Sequence, residues 1–184
     1  MFVFQETPPL AGQAIPAAGV KAQYKMNTRV RSDPEDKWYE DYALGEVLVT
    51  RGRTIDIGDL AAFAGLTGDH YPLHTDEQHA KTTRFGTRIA HGPLTFSIAV
   101  GLVGLSNFYG NSIVALVEIV SLRALKPVIP GDTVHVRAEV VGLEAGVNPK
   151  YGQLTVNYSV RNQRDEEVMT FRQVMLARRR PERT

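Results

Sequence analysis

The residue types able to move protons are concentrated in one segment, Thr67 to Gly92, which reads TGDHYPLHTDEQHAKTTRFGTRIAHG. Four of the five histidines of the chain lie in it. Pro72 separates Asp69 from His74 and is expected to prevent a regular helix between them, leaving a rigid irregular loop. Such a loop can turn a carboxylate and an imidazole toward one point. A pair of this kind can hold one water molecule and act on it as general acid and base.

Each of these residues also fits a structural role when it is taken alone. Asp69 follows Gly68 and is typical of a turn, and His74 is typical of a hydrogen-bonded polar side chain. Three other histidines are interpreted as structural or solvent-exposed: His70, His79 and His135. The combination of Asp69 and His74 across one short loop is what favours catalysis.

Gly92 and Pro93 precede an apolar run and predict the start of a long helix that continues to about Ser106. Pro93 has no N–H, so the free donors at this helix end belong to Gly92, Leu94 and Thr95. A helix N-terminus favours negative charge, and Gly92 offers its N–H without an obstructing side chain. Two proton-handling groups and an oxyanion donor together fit the addition or removal of water beside an activated carbonyl group.

Several elements are predicted to position these residues. Val47 to Thr54 predicts a strand. Asp56 is typical of the N-cap of a helix, which Gly65 and Gly68 are expected to end. Thr75 to Thr82 begins in capping-box form and predicts a short helix.

The second half of the chain changes to a period of two. Thr133 to Val140 and Leu154 to Arg161 alternate apolar and polar residues, which predicts strands with one wet face. Ile113 to Leu122 and Val168 to Ala177 are apolar on both faces, so we expect central strands or an interface. A helix-rich middle followed by consecutive antiparallel strands predicts the α+β class, with one sheet covered by one long helix.

The long central helix contains Gly101 and Gly104, each of which costs about 1 kcal/mol relative to alanine in a helix interior. A helix that tolerates this cost is expected to be pressed closely against a sheet. We therefore expect it to be the most buried helix, lying across an antiparallel sheet of about five strands.

The composition limits the possible functions. The 184 residues are 43% hydrophobic and 22% charged, which is typical of a globular protein with one main domain. The net charge of +1 gives no electrostatic case for nucleic acid or an anionic membrane. The longest apolar stretch, residues 93–105, is shorter than the roughly 20 residues of a membrane helix. Because cysteine is absent, disulfides, thiol nucleophiles and cysteine-bound metals are excluded, and a cytoplasmic location is expected.

The chain divides into three predicted regions. Residues 1–36 are rich in proline and glycine and are expected to form an N-terminal extension, without the features of a signal peptide. Residues 37–180 are expected to form the folded domain. Residues 181–184, with the arginines just before them, are interpreted as a solvated basic tail.

Two separated motifs resemble those of a known family. GDHYPLH at 68–74 and FGTRIAHG at 85–92 are similar to the signature of the MaoC-like dehydratases, the (R)-specific enoyl-CoA hydratases. In that family Gly-Asp-x-Asn-Pro-x-His is followed by Ile-x-His-Gly at the start of a central helix. The resemblance extends from about Trp38 to Arg179 and includes PGDTVHVRAEV at 130–140.

The resemblance implies a single hotdog fold, in which an antiparallel sheet wraps around the long helix. It implies reversible addition of water to a trans-2-enoyl-CoA, giving a (3R)-hydroxyacyl-CoA. Asp69 and His74 would activate the water, and the N–H of Gly92 would bind the thioester oxygen. No metal and no organic cofactor is expected, since coenzyme A is part of the substrate. Homodimers, or multiples of them, are also implied, and Ile113 to Leu122 is suited to an exposed edge or a subunit contact.

The chain departs from the family pattern at two points that bear on substrate binding. Tyr71 stands where the family has asparagine, which is expected to change the shape of the pocket. A serine found on the central helix of some hydratases aligns with Val100, and either Thr95 or Ser97 is a candidate substitute. Three basic residues after the loop are candidates for binding the phosphates of coenzyme A, beside the simpler interpretation of a solvated stretch: Lys81, Arg84 and Arg88.

Three other functions stay open. One is an acyl-CoA thioesterase of the same fold, another is a dehydratase acting on acyl carrier protein in fatty-acid synthesis, and the third is a noncatalytic acyl-binding or assembly protein. Hotdog thioesterases commonly use an acidic residue in the central helix, and residues 93–106 contain none. A noncatalytic binder would have no need of Asp69 and His74 together.

Overall fold

The structure is a computed structural model that describes residues 37–145 and 148–181. The predicted N-terminal extension and the last three residues of the predicted tail lie outside the described residues. Within the described part, none of the helices is both long and apolar enough to cross a membrane.

The described residues form a mixed helix and sheet structure whose elements follow in this order: a 3-10 helix (Tyr39–Asp41), β1 (Val47–Val49), β2 (Arg53–Thr54), α1 (Ile57–Thr67), α2 (Pro72–Thr75), α3 (Glu77–Thr82), α4 (Gly92–Leu105), β3 (Ile113–Ala124), β4 (Thr133–Ala145), β5 (Tyr151–Arg161) and β6 (Glu167–Arg178). The sheet has the order β1-β4-β5-β6-β3, and β2 also pairs with β4. Every pairing is antiparallel. The α+β prediction is confirmed.

The core lies between α4 and one face of the sheet. Along β4 and β5 alternate residues are buried, as the period of two predicts. On α4 the buried side chains recur at helical spacing, with Leu94, Ile98 and Leu102 on one stripe. The sheet thus wraps around one long helix, and α4 buries more side chains than any other described helix.

The two glycines of α4 do not serve the close packing expected of them. Gly101 and Gly104 are both exposed, and a Cβ added at either position would meet no atom within 4 Å. The expectation that they let the helix approach the sheet is therefore wrong. Ala99, which is completely buried, is the small residue on the packed side.

The predicted strand at 47–54 is interrupted in the structure. Thr50 turns its hydroxyl to accept a hydrogen bond from the N–H of Val136, at 3.0 Å. Gly52 passes so close to β4 that an added Cβ would lie 2.9 Å from Cγ2 of Thr133. The chain therefore pairs with β4 in two short strands and crosses it closely at Gly52.

The two strands predicted to be central or interfacial have different positions. β6 lies between β5 and β3 and is largely buried, whereas β3 is the edge of the sheet. Five large apolar side chains of β3 are exposed: Val114, Leu116, Val117, Ile119 and Leu122. An edge strand with this composition requires a partner or a cover.

The arginines before the C-terminus are not simply solvated. Arg179 donates a hydrogen bond to a carboxylate oxygen of Glu40 at 2.9 Å, and Arg180 donates one to Asp41 at the same distance. These contacts tie the end of β6 to the 3-10 helix through surface ion pairs, and Arg180 stays exposed, as a solvated end requires.

Candidate active site

Asp69 lies in the short non-helical segment between α1 and α2. Asp56 caps the start of α1, as predicted, and Gly68 ends it in the left-handed conformation with φ of 78°. Gly65, expected to help end the helix, lies within it. Asp69 is exposed, and one of its carboxylate oxygens accepts a hydrogen bond from the N–H of Tyr71 at 3.3 Å.

His74 lies on α2, where an irregular loop was expected. Pro72 occupies the first turn of this helix, where its fixed φ and missing N–H are tolerated, so it starts a helix rather than preventing one. Nδ1 of His74 lies 2.8 Å from the carbonyl oxygen of Ile89. Because a carbonyl oxygen can only accept, Nδ1 carries the proton in this contact, and in the neutral imidazole Nε2 then has the lone pair.

The helix that follows is capped by a different residue from the one predicted. Asp76, not Thr75, is the N-cap of α3, and its carboxylate accepts hydrogen bonds from the N–H groups of Gln78 and His79. The hydroxyl of Thr75 is instead bonded to the carbonyl oxygens of His70 and Tyr71, at 3.1 and 3.2 Å. These hydrogen bonds attach the loop that carries Asp69 to the end of α2.

The ligand atoms of Asp69, His74 and His91 come together: one carboxylate or ring atom from each lies within 4.8 Å of the other two. A water molecule making two hydrogen bonds of about 2.8 Å each can join atoms at this separation. The geometry therefore places a carboxylate oxygen of Asp69 and a ring nitrogen of His74 at a separation that one water molecule can bridge.

His91 joins the site although the sequence reasoning did not single it out. Its ring is completely buried and stacks on that of His74, with centroids 3.9 Å apart and planes inclined by 29°. Nε2 of His91 lies 3.0 Å from the carbonyl oxygen of Asp69. The available signal was its place in the second motif, directly before Gly92.

Nearly parallel rings suit a metal ion poorly. An ion shared by two imidazoles has to lie near the plane of both, whereas two stacked rings 3.9 Å apart and inclined by only 29° have planes that run side by side. The arrangement favours a water molecule on His74 and Asp69 over an ion held by all three residues.

A cavity of about 230 Å³ opens beside His74 and the start of α4. Gly92 and the buried Thr95 line it together with His74. A Cβ added to Gly92 would meet no protein atom within 4 Å, so its backbone stands open to solvent or ligand. The apolar lining includes Leu125, Val128, Val168 and Met169. An imidazole, a helix N-terminus and an apolar wall thus share one space.

The other predicted substrate-binding residues are divided by the structure. Tyr71 is 60% exposed and makes an edge contact with the ring of His74 at 6.3 Å. Thr95 lines the cavity, but Ser97 is exposed and donates its hydroxyl to the carbonyl oxygen of Pro93 at 2.8 Å. Of the two candidate serine substitutes, only Thr95 reaches the cavity.

The basic residues also differ in position. Arg84 lines the cavity, with its guanidinium 4.8 Å from the ring centroid of Phe85. Arg88 instead donates to Glu77 at 3.0 Å, and this hydrogen bond lowers the pKa of the Glu77 carboxyl. Lys81 is exposed and is not among the lining residues. A cation that the sequence did not suggest, Lys126, lines the cavity as well.

Comparison with known proteins gives concordant results. The family model for the MaoC like domain matches residues 41–162. The chain is 31% identical to Protein MaoC of Klebsiella aerogenes over 137 residues, which is 73% of this chain but only 40% of that protein. It is 36% identical to an (R)-specific enoyl-CoA hydratase of Rhodospirillum rubrum over 106 residues, covering 58% of this chain and 71% of the hydratase.

Solved structures show the same similarity. The structure of a protein described as a monoamine oxidase regulatory protein from Archaeoglobus fulgius matches with a TM-score of 0.75 and 40% identity, covering 79% of this chain and 96% of that one. A Mycobacterium tuberculosis protein with a double hotdog fold matches with a TM-score of 0.71 over 80% of this chain and 46% of its own. At 23% identity this second match bears on the fold alone, and it agrees with a hotdog.

Proposed function

The chain belongs to the MaoC-like domain family of hydro-lyases, and on that basis we propose that it is an (R)-specific enoyl-CoA hydratase/dehydratase. The proposed reaction is the reversible addition of water to a trans-2-enoyl-CoA, giving a (3R)-hydroxyacyl-CoA. The observation that carries the proposal is that Asp69 and His74 lie within reach of one water molecule, and that His74 and Gly92 line the same cavity.

The proposed roles follow from the hydrogen bonds of the site. Since Nδ1 of His74 donates to the Ile89 carbonyl, Nε2 is free to accept a proton. The carboxylate of Asp69 orients the shared water and takes part in the proton transfer. The water oxygen adds to C3 of the enoyl group as the water loses one proton to the pair. A proton is then returned to C2 on the same face, because both groups lie on one side of the substrate.

The N-terminus of α4 would stabilise the charge that develops on the thioester oxygen. As electrons move from the C2–C3 double bond toward the carbonyl, the oxygen becomes enolate-like. The N–H of Gly92 is a donor at the positive end of a helix of 14 residues, and no side chain of its own obstructs it. The apolar residues of the cavity would hold the start of the acyl chain.

We extend the proposal to a homodimer formed through β3. The exposed apolar side chains of this edge strand would be covered by a second copy, which removes an edge that otherwise invites aggregation. The cavity lies at the C-terminal end of β3, because Ala124, the last residue of the strand, and Leu125 both line it. A second copy paired there would therefore lie close to the proposed substrate.

The test is direct mixing of the protein with crotonyl-CoA. Loss of the ultraviolet absorbance of the enoyl thioester without release of free thiol supports hydration, and chiral analysis should give the (3R) product. Release of thiol would show a thioesterase. Activity on crotonyl-acyl carrier protein but not on crotonyl-CoA would show a carrier-protein dehydratase. No reaction across a panel of enoyl chain lengths would favour a noncatalytic acyl-binding protein and contradict the proposal.

A further inference from the structure

His91 contacts three parts of the site without lining the cavity. Its ring hydrogen-bonds the main chain of Asp69 and stacks on His74, and its own backbone leads directly into Gly92. Its side chain is completely buried, so it has no exposed surface with which to contact a substrate. A residue in this position can act only through the groups that it touches.

The hydrogen bond from His91 fixes its tautomer. The Asp69 carbonyl oxygen can only accept, so Nε2 of His91 carries the proton and donates across 3.0 Å. His74 has the opposite tautomer, with its proton on Nδ1. The other hydrogen bond at the Asp69 main chain is the N–H to the hydroxyl of Thr67, a longer contact of 3.3 Å between exposed residues. The shorter, partly buried bond from His91 is therefore the firmer hold on the main chain of Asp69.

Stacking holds the second member of the pair. The His91 ring lies 5.0 Å from the ring centroid of Phe63 and 3.9 Å from that of His74. With the Ile89 carbonyl bonded to one edge of His74 and His91 against one of its faces, rotation of the His74 imidazole is restricted. Nε2 of His74 is thereby kept in one direction.

Two simpler roles do not account for the imidazole. His91 is the N-cap residue of α4, but its side chain makes no capping hydrogen bond. Its Nδ1 is buried without a hydrogen-bond partner among the described residues, which costs desolvation free energy that an apolar ring of similar size would avoid. Neither helix capping nor packing therefore explains why this position holds an imidazole.

We propose that His91 is a positioning residue that fixes the backbone of Asp69 and the ring of His74 relative to the Gly92 N–H. The proposal rests on the proposed function for the reaction that these groups perform, but the positioning itself is a structural statement that can be tested without activity.

The first experiment uses the wild-type protein and needs no variant. Nitrogen–proton correlation spectra of the histidine rings should show the proton of His91 on Nε2, in slow exchange with water, and that of His74 on Nδ1. The opposite tautomer of His91, or free exchange of its ring proton, would overturn the proposal. This result does not depend on whether the protein hydrates any enoyl thioester.

The second experiment compares two substitutions of His91, one that keeps the flat ring and one that keeps the N–H donor. His91→Phe keeps a flat ring but loses the N–H, and His91→Gln keeps an N–H that can reach the Asp69 carbonyl. Displacement of a catalytic group by about 1 Å can cost on the order of 10²-fold in rate. In the phenylalanine variant we expect kcat for crotonyl-CoA to fall at least about tenfold with little change in KM, and the glutamine variant to recover part of the loss.

Controls separate positioning from folding and from the function itself. His79→Phe changes an exposed histidine of the neighbouring helix and should leave kcat unchanged. Thermal unfolding identifies any variant that fails to fold, in which case the wild-type spectra decide. A folded His91→Phe variant with wild-type kcat and an unchanged His74 ring spectrum would refute the proposal. If the wild type has no hydratase activity while His91→Phe alters the His74 spectrum, the proposed function fails and the positioning role stands.

Discussion

The carbonyl oxygen of Ile89 lies 2.8 Å from Nδ1 of His74 and joins the two motifs of the chain. The N–H of the same residue points back to the carbonyl of Leu73 at 3.4 Å, so the segment before α4 is bonded to α2 twice. The next residue, Ala90, donates to the carbonyl of Val128 at 2.7 Å. The imidazole of His74 is therefore held by backbone that is itself fixed to the body of the protein, which is how a pre-organised base is built.

The first prediction concerns the proton-transfer pair. Asp69→Asn and His74→Gln remove the groups proposed to share a water, and each should lower kcat for crotonyl-CoA by about 10²–10⁴-fold. Because both groups act on one water, the double variant should lose little more than the worse single one. Asp69 is exposed, so Asp69→Asn should unfold at nearly the wild-type temperature.

His79→Gln is the matched control for this pair, since His79 is exposed and lies only five residues beyond His74. It should retain wild-type kcat. Near-normal kcat in either Asp69→Asn or His74→Gln would remove that residue from the mechanism. Losses that multiply in the double variant would show that the two residues act on separate steps.

The second prediction uses two glycines of the same helix. Gly92→Ala places a methyl group where no protein atom lies within 4 Å, so the fold should tolerate it. The methyl would enter the space proposed for the thioester oxygen, and kcat/KM should fall at least about tenfold. Gly101→Ala is the control, because it is exposed in the middle of α4 and should raise the free energy of unfolding by about 1 kcal/mol without changing activity.

Both glycine variants are assayed by urea unfolding and by hydration of crotonyl-CoA. A fully active Gly92→Ala would argue against an oxyanion site at this N–H. A destabilised Gly101→Ala would mean that another surface, such as a second copy, presses on this face of α4.

The third prediction separates two arginines that look equivalent in the sequence. Arg84 lines the cavity, so Arg84→Ala should raise KM for the CoA ester several-fold and leave kcat nearly unchanged. Arg88 is bound to Glu77, so Arg88→Ala should leave KM unchanged and act on the α3 region instead. Equal effects of both substitutions on KM would contradict this division, and an unchanged KM in Arg84→Ala would remove it from the site.

The local pattern of the sequence predicted those features that depend on neighbouring residues alone. The period of two along β4 and β5 marks the buried face because one side of each strand meets the core. The break between β1 and β2 could not be predicted in this way, since it arises where Gly52 meets Thr133, 81 positions later in the chain. The glycines of α4 show the same limit, because helix propensity does not say which face they occupy.

The candidate site could be predicted from the sequence to a similar extent. Asp69, His74 and Gly92 stand in two short motifs, and residue chemistry alone indicates their roles. The contribution of His91 depends on the contact of its ring with His74 and with the Asp69 carbonyl, which arises only when the residue before α4 comes to lie beside α2 in the fold. Arg84 and Arg88 could be separated only once the partner of Arg88, Glu77, was known.

The fourth prediction concerns association through β3. If two copies pair along this edge, the mass in solution should be twice the 20.4 kDa of the chain or a multiple of that value. Val117 is 54% exposed on β3, and Val117→Lys should weaken the dimer by placing a charge in the contact. Val141→Lys, at a 42% exposed position on β4, is the control. Light scattering at micromolar concentration measures both, and a monomeric wild type would contradict the assignment.

The last prediction concerns alkaline stability and a buried chain of hydroxyl groups. The hydroxyls of Tyr109 and Tyr158 lie 2.5 Å apart, and Tyr158 also donates to Oε1 of Gln173 at 2.6 Å. Burial raises the pKa of Tyr158 to about 12, and burial likewise raises the pKa of Tyr109 above its ordinary value. These tyrosines therefore stay protonated in the folded protein at a pH where the unfolded chain has begun to ionise.

The sign of the effect follows from this difference. Between pH 10 and about 12 the unfolded state binds fewer protons than the folded state at Tyr158, so stability falls as pH rises through this window. The loss from one such group approaches about 1.4 kcal/mol per pH unit.

Tyr158→Phe should be less stable at pH 8, by about 1–3 kcal/mol, because Gln173 and Tyr109 lose a buried partner. Its further loss between pH 10 and 11 should be smaller than that of the wild type. Urea unfolding at pH 8, 10 and 11 measures both quantities, with Tyr71→Phe at a 60% exposed position as the control. Parallel pH dependence in the wild type and Tyr158→Phe would show that Tyr158 ionises alike in both states.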